Sequence, residues 1–505
     1  MMSREPASVV EAFLQMSERV PDKLCLRFQG KAMSYAELRR SAEAFAAGLC
    51  SWGLRRGERV ALWMENSPDF LAAYLSIHLV GGAVVPINTQ YRQWELHHIL
   101  SDAAVRLCFV DEPLRPELAH LERKLPGLEL VVETGAPLKR FLIEGQPYRG
   151  RLPESEDLAL IAYTSGTTGR SKGAMLLHRN LLANIRAISA AWRWTADDHL
   201  LLTLPLFHMH GLLVGANGTF VSGGSIELHR DFSVVNVYDA LLAGSVTMFF
   251  GVPTMYTRLL AEAGRRHEKP PPLRLYVSGS APLSAQTFVE FEQAFGQHIL
   301  ERYGLTETGM NTTNPYDGDR RPGTVGVPFP GQEARVVHPH TREPLPPDTD
   351  GEIEVRGPHV FKGYWNQPEA TAECFTADGW FRTGDLGHVS DDGYFTITGR
   401  AKELIISGGY NVYPREVEEV LQGCPGVAEV AVVGLPHPEL GEQVAAAIVR
   451  SDLALTAEEV IAFCRNQLAS YKKPRHVVFV DALPRNAMGK IQKYVLSKQL
   501  GETLR

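Results

Sequence analysis

Residues 163–173 hold the densest polar chemistry of the chain. Thr164, Ser165, Thr167 and Thr168 offer hydroxyls, Gly166, Gly169 and Gly173 leave the backbone bare, and Lys172 adds one cation. Glycines let a chain turn tightly and bring N–H groups against a ligand, hydroxyls donate to oxygen, and a lysine is a mobile positive point. That combination suits phosphate. It is not the G-x-x-x-x-G-K-[ST] loop, because Gly173 and no hydroxyl follows Lys172. The competing reading is a surface loop with an incidental lysine. Phosphate handling calls for a metal partner, and Glu307, between the hydroxyls of Thr306 and Thr308, is a carboxylate that could hold Mg²⁺ against triphosphate oxygens. The alternative for Glu307 is a capping carboxylate.

Six further positions could carry chemistry. Tyr303 could stack on a nucleobase, and Asp385, after Thr383 and Gly384, could accept both hydroxyls of a ribose. Lys490, one residue past Gly489 at a predicted helix start, is placed for an anion, and Lys402 follows Arg400 at an inferred domain boundary. Either lysine could equally be a solvated surface side chain. His208 and His210 flank Met209 at a spacing that could bring two imidazoles to a metal. No third histidine or cysteine accompanies them locally, so a pocket wall is favoured over zinc.

The elements that must position these residues alternate. Helices are predicted over 7–17, 35–52, 68–80, 94–102 and 178–191, with Ser34 and Glu37 spaced as a capping box and Gly53 as a stop. Strands are predicted over 59–64, 83–87, 106–110, 157–162, 201–205, 224–228, 246–250, 273–277 and 298–302, and helices over 234–242, 255–265 and 284–295. Strand–helix alternation of this length means βαβ units and a largely parallel sheet. Residues 112–151, rich in Pro, Glu and Arg, read as a peripheral excursion. The loops 164–172, 207–211, 278–281 and 303–308 each follow a predicted strand, which points to one shared cleft at the strand ends. After residue 326 short strands with Gly, Pro and Asp turns dominate, and beyond 402 an α+β tail follows. The reading gives residues 1–401 and 402–505 as two domains, joined by few residues.

Composition bounds the class. With 505 residues, a formal net charge of -7 and no long basic block, the chain is too large for one core and does not favour nucleic acid as its partner. Six dispersed cysteines without a C-x-x-C pair read as reduced thiols, and early charges with no apolar signal core or 18-residue apolar run predict a cytoplasmic enzyme. Whether it is a monomer or a homodimer is left open.

Seven motifs in order resemble those of the adenylate-forming enzymes, which include acyl-CoA synthetases, luciferases and peptide-synthetase adenylation domains. They are residues 163–173, 303–307, 364–366, 380–385, 399–403, 407–410 and 484–490, and the resemblance spans essentially the whole chain. It implies an α/β fold with a large N-terminal domain of two sheet–helix lobes plus a small β-subdomain, and a mobile C-terminal α+β domain. It implies a two-step reaction: a carboxylate attacks the α-phosphate of Mg·ATP, then coenzyme A displaces AMP. Matched motif by motif, Thr164, Ser165, Gly166, Thr167, Thr168, Gly169 and Lys172 would cradle the outer phosphates, Thr306 would meet the α-phosphate and Glu307 would hold Mg²⁺. Tyr303 with Gly279, Ser280 and Ala281 would frame adenine, and Asp385 and Arg400 would take the ribose. Lys490 would bridge carboxylate and α-phosphate, Lys402 would be the hinge, Gly408, Gly409 and Tyr410 would line the coenzyme A tunnel, and His208 would gate it.

The acid is a separate question. The strings 301–326, 278–282 and 207–211 resemble malonyl- and methylmalonyl-CoA synthetases most closely, in which arginines matching Arg258 and Arg302 hold the distal carboxylate and residues matching Met209 and Met310 limit the room at C2. A guanidinium at the end of a strand beside Tyr303 can pair bidentately with a carboxylate, and burying it without an anion is costly. The alternatives are a pair between Arg258 and Glu262 on one helix face, and a pair between Arg302 and Glu301 or Asp319. The competing functions are a medium- or long-chain fatty acyl-CoA synthetase and a non-catalytic ATP-binding or assembly protein.

Overall fold

The computed structural model describes residues 5–164, 171–266, 268–407, 410–438, 440–465, 467–486 and 489–503. The chain forms two compact units: one of Met1–Pro322, Gly326–Glu333 and Val355–Phe381, the other of Gly323–Val325, Ala334–Glu354 and Arg382–Arg505.

The first unit holds the two expected lobes. In one, a seven-stranded sheet runs in the order 363–364, 172–177, 158–164, 83–86, 59–63, 105–110, 130–133. Its central strands are parallel and nearly continuously buried, as a sheet covered by helices on both faces requires. In the other, a nine-stranded sheet runs 327–328, 309–313, 299–305, 275–278, 248–251, 199–202, 225–228, 24–28, 31–34. Tyr35–Trp52 starts on the predicted capping box of Ser34 and Glu37 and stops at Gly53 in the left-handed region. A stack of rings, with Phe291 and Phe295 parallel at 4.2 Å and Tyr276 edge-on to Phe291 at 4.9 Å, fixes Pro253–Arg265 and Ala285–Phe295 against the strands.

Several elements differ from the sequence reading. Residues 112–151 are not merely peripheral, since Leu130–Glu133 pairs in parallel with Val105–Val110 and closes one edge of the seven-stranded sheet. Lys172–Leu177 is a strand, antiparallel to Leu158–Thr164, that precedes the predicted helix at 178–191. His210–Asn217 is a π-helix running into the α-helix Gly218–Ser222, where only a loop was expected. Ile299–Leu305 extends past Tyr303 and folds back antiparallel onto Gly309–Thr313, so the 303–308 motif is the end of one strand and a tight turn. Here a Cβ on Gly304 would stand 2.2 Å from the Gly309 carbonyl oxygen, and Gly309 itself has φ +65°; glycine is obligatory at this crossing.

The second unit contains a four-stranded sheet, order 333–337, 351–356, 381–389, 395–400, and a sheet of 405–407, 410–412, 427–437, 441–450 and 476–479. Pro414–Gln422 and Ala457–Arg465 pack on the latter through Val417, Leu421, Val460 and Cys464. This grouping puts the β-rich segments with the C-terminal part and cuts the chain elsewhere than between 401 and 402.

Candidate functional site

Lys172 begins its strand opposite Thr164, and Ser165, Gly166, Thr167, Thr168 and Gly169 lie outside the described residues. Gly173 is glycine for a packing reason, because a Cβ there would sit 2.7 Å from Ile161 Cγ2. Tyr163 donates to Asp102 Oδ2 at 2.6 Å and belongs to the scaffold. The Lys172 ammonium lies 5.0 Å from the centroid of the Tyr364 ring, a cation–π distance. Tyr364 in turn donates its hydroxyl to Glu307 Oε1 at 2.8 Å, and the Glu307 carbonyl accepts from the Phe361 N–H at 2.8 Å. Tyr364 therefore links the cation of the glycine-rich stretch to the carboxylate proposed for the metal. The sequence reading saw residues 364–366 as a motif without giving Tyr364 this part. No group of three or more His, Cys, Asp or Glu side chains able to hold a metal ion occurs among the described residues. A lone carboxylate still fits Mg²⁺, which keeps waters and takes substrate phosphate oxygens in place of a full protein cage.

Three of the four strand-end loops meet around Arg302. The side chain is buried, 3% exposed, and its Nε and Nη2 have no hydrogen-bond partner among the described residues. Burial pulls its pKa down to about 9, opposed by nearby Tyr256 and Glu301. Of the two expected partners, Glu301 acts on it through charge while its Oε1 accepts from the Leu283 N–H at 2.9 Å, and Asp319 holds Arg321 at 2.8 Å. Gly279 lies directly beneath the guanidinium, where a Cβ would be 2.4 Å from Arg302 Cζ. Ser280, at φ +68°, sits in a conformation uncommon for a residue with a side chain. Its Oγ is 3.4 Å from His210 Nδ1, and Ala281 is half-buried beside it. Tyr303 is half-buried on the neighbouring strand opposite Thr312.

Two histidines complete this wall. His208 Nδ1 accepts from the His210 N–H at 3.3 Å, so a neutral His208 carries its proton on Nε2. Burial first, then the Arg302 charge, lowers His208 to about 4 and His210 further below its ordinary value. Met209 and Met310 are both buried. Met310 is pinned by an amide bracket that the sequence did not suggest: Asn184 Nδ2 donates to its carbonyl at 2.8 Å and its N–H donates to Asn184 Oδ1 at 3.0 Å. Thr306 is half-buried beside Glu307, whereas Thr308 is buried. Arg258 differs from the expectation. It stands exposed on Pro253–Arg265, and its expected helix-face partner Glu262 is taken by Arg265 and Arg266.

In the second unit Asp385 and Arg400 are cross-strand partners joined by an ion pair, Nε to Oδ1 at 2.9 Å. Lys490 belongs to the same neighbourhood. Burial and the Arg400 charge lower its pKa, against the pull of Asp385 and Glu403. It is not at a helix start: Lys493–Thr503 begins three residues later, and Lys490 lies in a turn closed by the Arg485–Ile491 bridge, its N–H donating to Asn486 Oδ1 at 3.0 Å. Lys402 is exposed in a turn after the strand Phe395–Arg400. Gly408 and Gly409 lie outside the described residues, and Tyr410 opens the strand Tyr410–Val412.

Comparison with known proteins gives a consistent picture. A family model described as AMP-binding enzyme matches residues 13–365, and one described as AMP-binding enzyme C-terminal domain matches residues 416–490. ATP-bound MatB from Rhodopseudomonas palustris is similar in structure, with a TM-score of 0.91 and 41% identity over 99% of this chain and 100% of that one. A malonate–CoA ligase from Arabidopsis thaliana is 33% identical over 99% of this chain and 90% of its own. A feruloyl-CoA synthase from Amycolatopsis is 37% identical over 95% and 96%.

Proposed function

This chain belongs to the AMP-binding family of adenylate-forming enzymes, and from that membership we propose that it is an ATP-dependent, AMP-forming carboxylate–CoA ligase whose acid is malonate, methylmalonate being the second candidate. The buried guanidinium of Arg302, whose Nε and Nη2 have no hydrogen-bond partner among the described residues, carries the choice of acid. Relatives named for malonate and for ferulate match at similar identity, so resemblance alone does not select one. A buried cation does. It lowers its free energy by taking an anion and raises it against an apolar tail. A fatty acyl chain would leave that charge unpaired, which weighs against the medium- or long-chain reading.

In the proposed reaction a malonate oxygen attacks the α-phosphorus of ATP and the bond to diphosphate breaks. The thiol sulfur of coenzyme A then attacks the acyl carbon, AMP leaves, and the thiol proton is lost. Thr164, Lys172 and the residues between them hold the outer phosphates, with Thr306 at the α-phosphate. Tyr303 and the 279–281 backbone frame adenine, and Asp385 and Arg400 take the ribose. Mg²⁺, held by Glu307, would supply charge neutralisation at the phosphates. Lys490 offsets the repulsion between carboxylate and phosphate as charge develops. That amine lies in one unit with the Asp385–Arg400 pair, which supports its action near the nucleotide. Lys402 is the proposed hinge, His208 the gate, and Gly408, Gly409 and Tyr410 the coenzyme A contacts. Met209 and Met310 bound the space at C2. Arg258, exposed on its helix, is a secondary candidate for the distal carboxylate. Six free cysteines suit a reducing, cytoplasmic setting.

The test is acid-dependent AMP formation with malonate, methylmalonate and octanoate over full saturation curves. Malonate should give the highest kcat/KM; octanoate exceeding it would reverse the assignment, and no acid-dependent AMP would revive the non-catalytic reading.

A further inference from the structure

Lys490 reaches its place from a turn, and the turn is held at both ends. At its base Leu483 and Ile491 join the apolar cluster of Ala431, Val433, Leu496 and Leu500 on one face of the strand Val427–His437. The Gln492 N–H donates to the Pro484 carbonyl at 2.8 Å and closes that base. The tip is a different problem, because Gly489, directly before the lysine, stands at φ +73°, where only a glycine sits easily. Asn486 brackets Lys490 by its backbone: its Oδ1 accepts the Lys490 N–H at 3.0 Å, and its own N–H donates to the Lys490 carbonyl at 2.9 Å. Arg485 then crosses the turn. Its Nη1 donates to the Gly489 carbonyl at 2.6 Å and its Nη2 to Glu429 Oε2 at 3.0 Å. Glu429 lies 56 residues away in the chain. It follows a bulge in its strand, where Val427 faces Arg450 and Glu429 faces Val449, and a bulge re-aims the side chains beside it.

The side chains of Arg485 and Glu429 are 29% and 43% exposed, and an ion pair so open to water adds little to stability. Its use is geometric. A planar guanidinium holds two acceptors in fixed directions, whereas an ammonium is a point charge on a flexible stem. We propose that Arg485, oriented by Glu429, is a positioning residue for Lys490: it locks the Gly489 carbonyl, and with it the tip of the turn, so that the ammonium is aimed for the first half-reaction. The inference rests on the proposed role of Lys490 and extends it to two residues that act through it. A displacement of about 1 Å at a reacting centre can cost about 100-fold in rate, so a small shift of Gly489 is enough. Thioester formation, which does not use Lys490 in the proposed reaction, should not register that shift.

The experiment measures two rates, malonate-dependent ATP–diphosphate exchange and thioester formation from supplied malonyl-adenylate and coenzyme A. It compares wild type with Lys490→Ala, Arg485→Met, Glu429→Leu and Glu429→Gln in the full chain. Methionine keeps an unbranched apolar stem in place of that of Arg485, and glutamine keeps an acceptor at 429. Arg485→Met should lower the maximal exchange rate about 10-fold to 100-fold, with the KM values for ATP and malonate within about twofold of wild type. Its thioester formation should stay within about twofold as well. Glu429→Leu should lower exchange about threefold to tenfold, and Glu429→Gln should recover most of that loss. An equal fall in both half-reactions, or no fall in exchange, in Arg485→Met overturns the inference. If that variant does not fold, unchanged exchange in Glu429→Leu overturns it. Failure of the underlying reading looks different: Lys490→Ala would then exchange near the wild-type rate, whereas exchange lost in Lys490→Ala and intact in Arg485→Met removes only the role of Arg485.

Discussion

Replacing Arg302 by methionine should make the ligand-free protein more stable and the enzyme worse. The guanidinium is 3% exposed, with Nε and Nη2 unpartnered among the described residues. Its pKa of about 9 against an ordinary 12.5 corresponds to a cost of order 5 kcal/mol for keeping the charge in that site, at about 1.4 kcal/mol per pH unit. Exchanging an uncompensated buried ion for an apolar side chain of similar volume gains about 1–4 kcal/mol in practice. Arg302→Met should therefore raise the thermal midpoint of the ligand-free first unit by a few degrees. Malonate should raise the midpoint of wild type by pairing the charge and should leave that of the variant where it is. In steady state, kcat/KM for malonate should fall about 10²–10³-fold, the loss of a charge-assisted contact worth about 3–4 kcal/mol. The KM for ATP should move little. Gly279→Ala gives a geometric control, since its Cβ would collide with Arg302 Cζ at 2.4 Å and should displace the guanidinium at similar cost to malonate use. A variant less stable than wild type that still turns over malonate normally would refute the reasoning.

Lys490→Ala should abolish malonate-dependent ATP–diphosphate exchange while sparing thioester formation from supplied malonyl-adenylate; equal loss in both half-reactions would remove Lys490 from the first step. Tyr364→Phe removes the hydroxyl that holds Glu307 Oε1 at 2.8 Å and should raise the Mg²⁺ concentration for half-maximal rate about threefold to tenfold, an unchanged Mg²⁺ dependence counting against the placement. The first unit should lose stability as pH falls from about 6.5 towards 4, because burial holds His78 at about 4 and His178 well below its ordinary value, so the unfolded chain binds protons that the folded one refuses. Each contributes up to about 1.4 kcal/mol per pH unit in that window, and His178→Phe, at a ring with neither nitrogen partnered among the described residues, should flatten urea midpoints measured between pH 7 and 5.

What the sequence made legible follows from where each signal is written. The helix Tyr35–Trp52 was readable to the residue because its capping box and left-handed glycine are local. The strand Leu130–Glu133 was hidden because it lies at a sheet edge, only Val132 of it being buried, inside a charged stretch. Lys172–Leu177 was masked by its own chemistry, since a lysine and a glycine at its start look like loop. The π-helix His210–Asn217 lacked any sign in the sequence, and its Gly211 and Gly215 are packing glycines: a Cβ on Gly211 would be 2.3 Å from the Pro205 carbonyl oxygen. The roles of Glu307 and Asp385 were proposed from their neighbours in sequence, while the hydroxyl of Tyr364 on Glu307 comes from 57 residues away and could be seen only in the fold. Arg258 and Arg302 looked alike as motif positions, and only the tertiary structure separates an exposed helix residue from a guanidinium enclosed by three loops.

That separation bears on how the acid is selected. Elsewhere in this protein buried charge is met by charge: Asp198, 3% exposed, takes Arg274 at 2.7 Å, and the fully buried Glu354 takes Arg335 at 2.7 Å and also Arg342. At Arg302 the adjacent carboxylate is spent on another task, since Glu301 accepts the Leu283 N–H. Its charge eases the burial of the guanidinium, while Nε and Nη2 keep no hydrogen-bond partner among the described residues. On the proposed reading, a pocket built this way carries an electrostatic cost until a dianion arrives, and part of the binding energy of that dianion offsets the cost. An acid with one carboxylate inherits the cost without relieving it. Discrimination then needs no close fit around the acyl chain: it follows from the difference between a paired and an unpaired buried cation, which at 2–4 kcal/mol separates two acids by about 30-fold to a thousandfold.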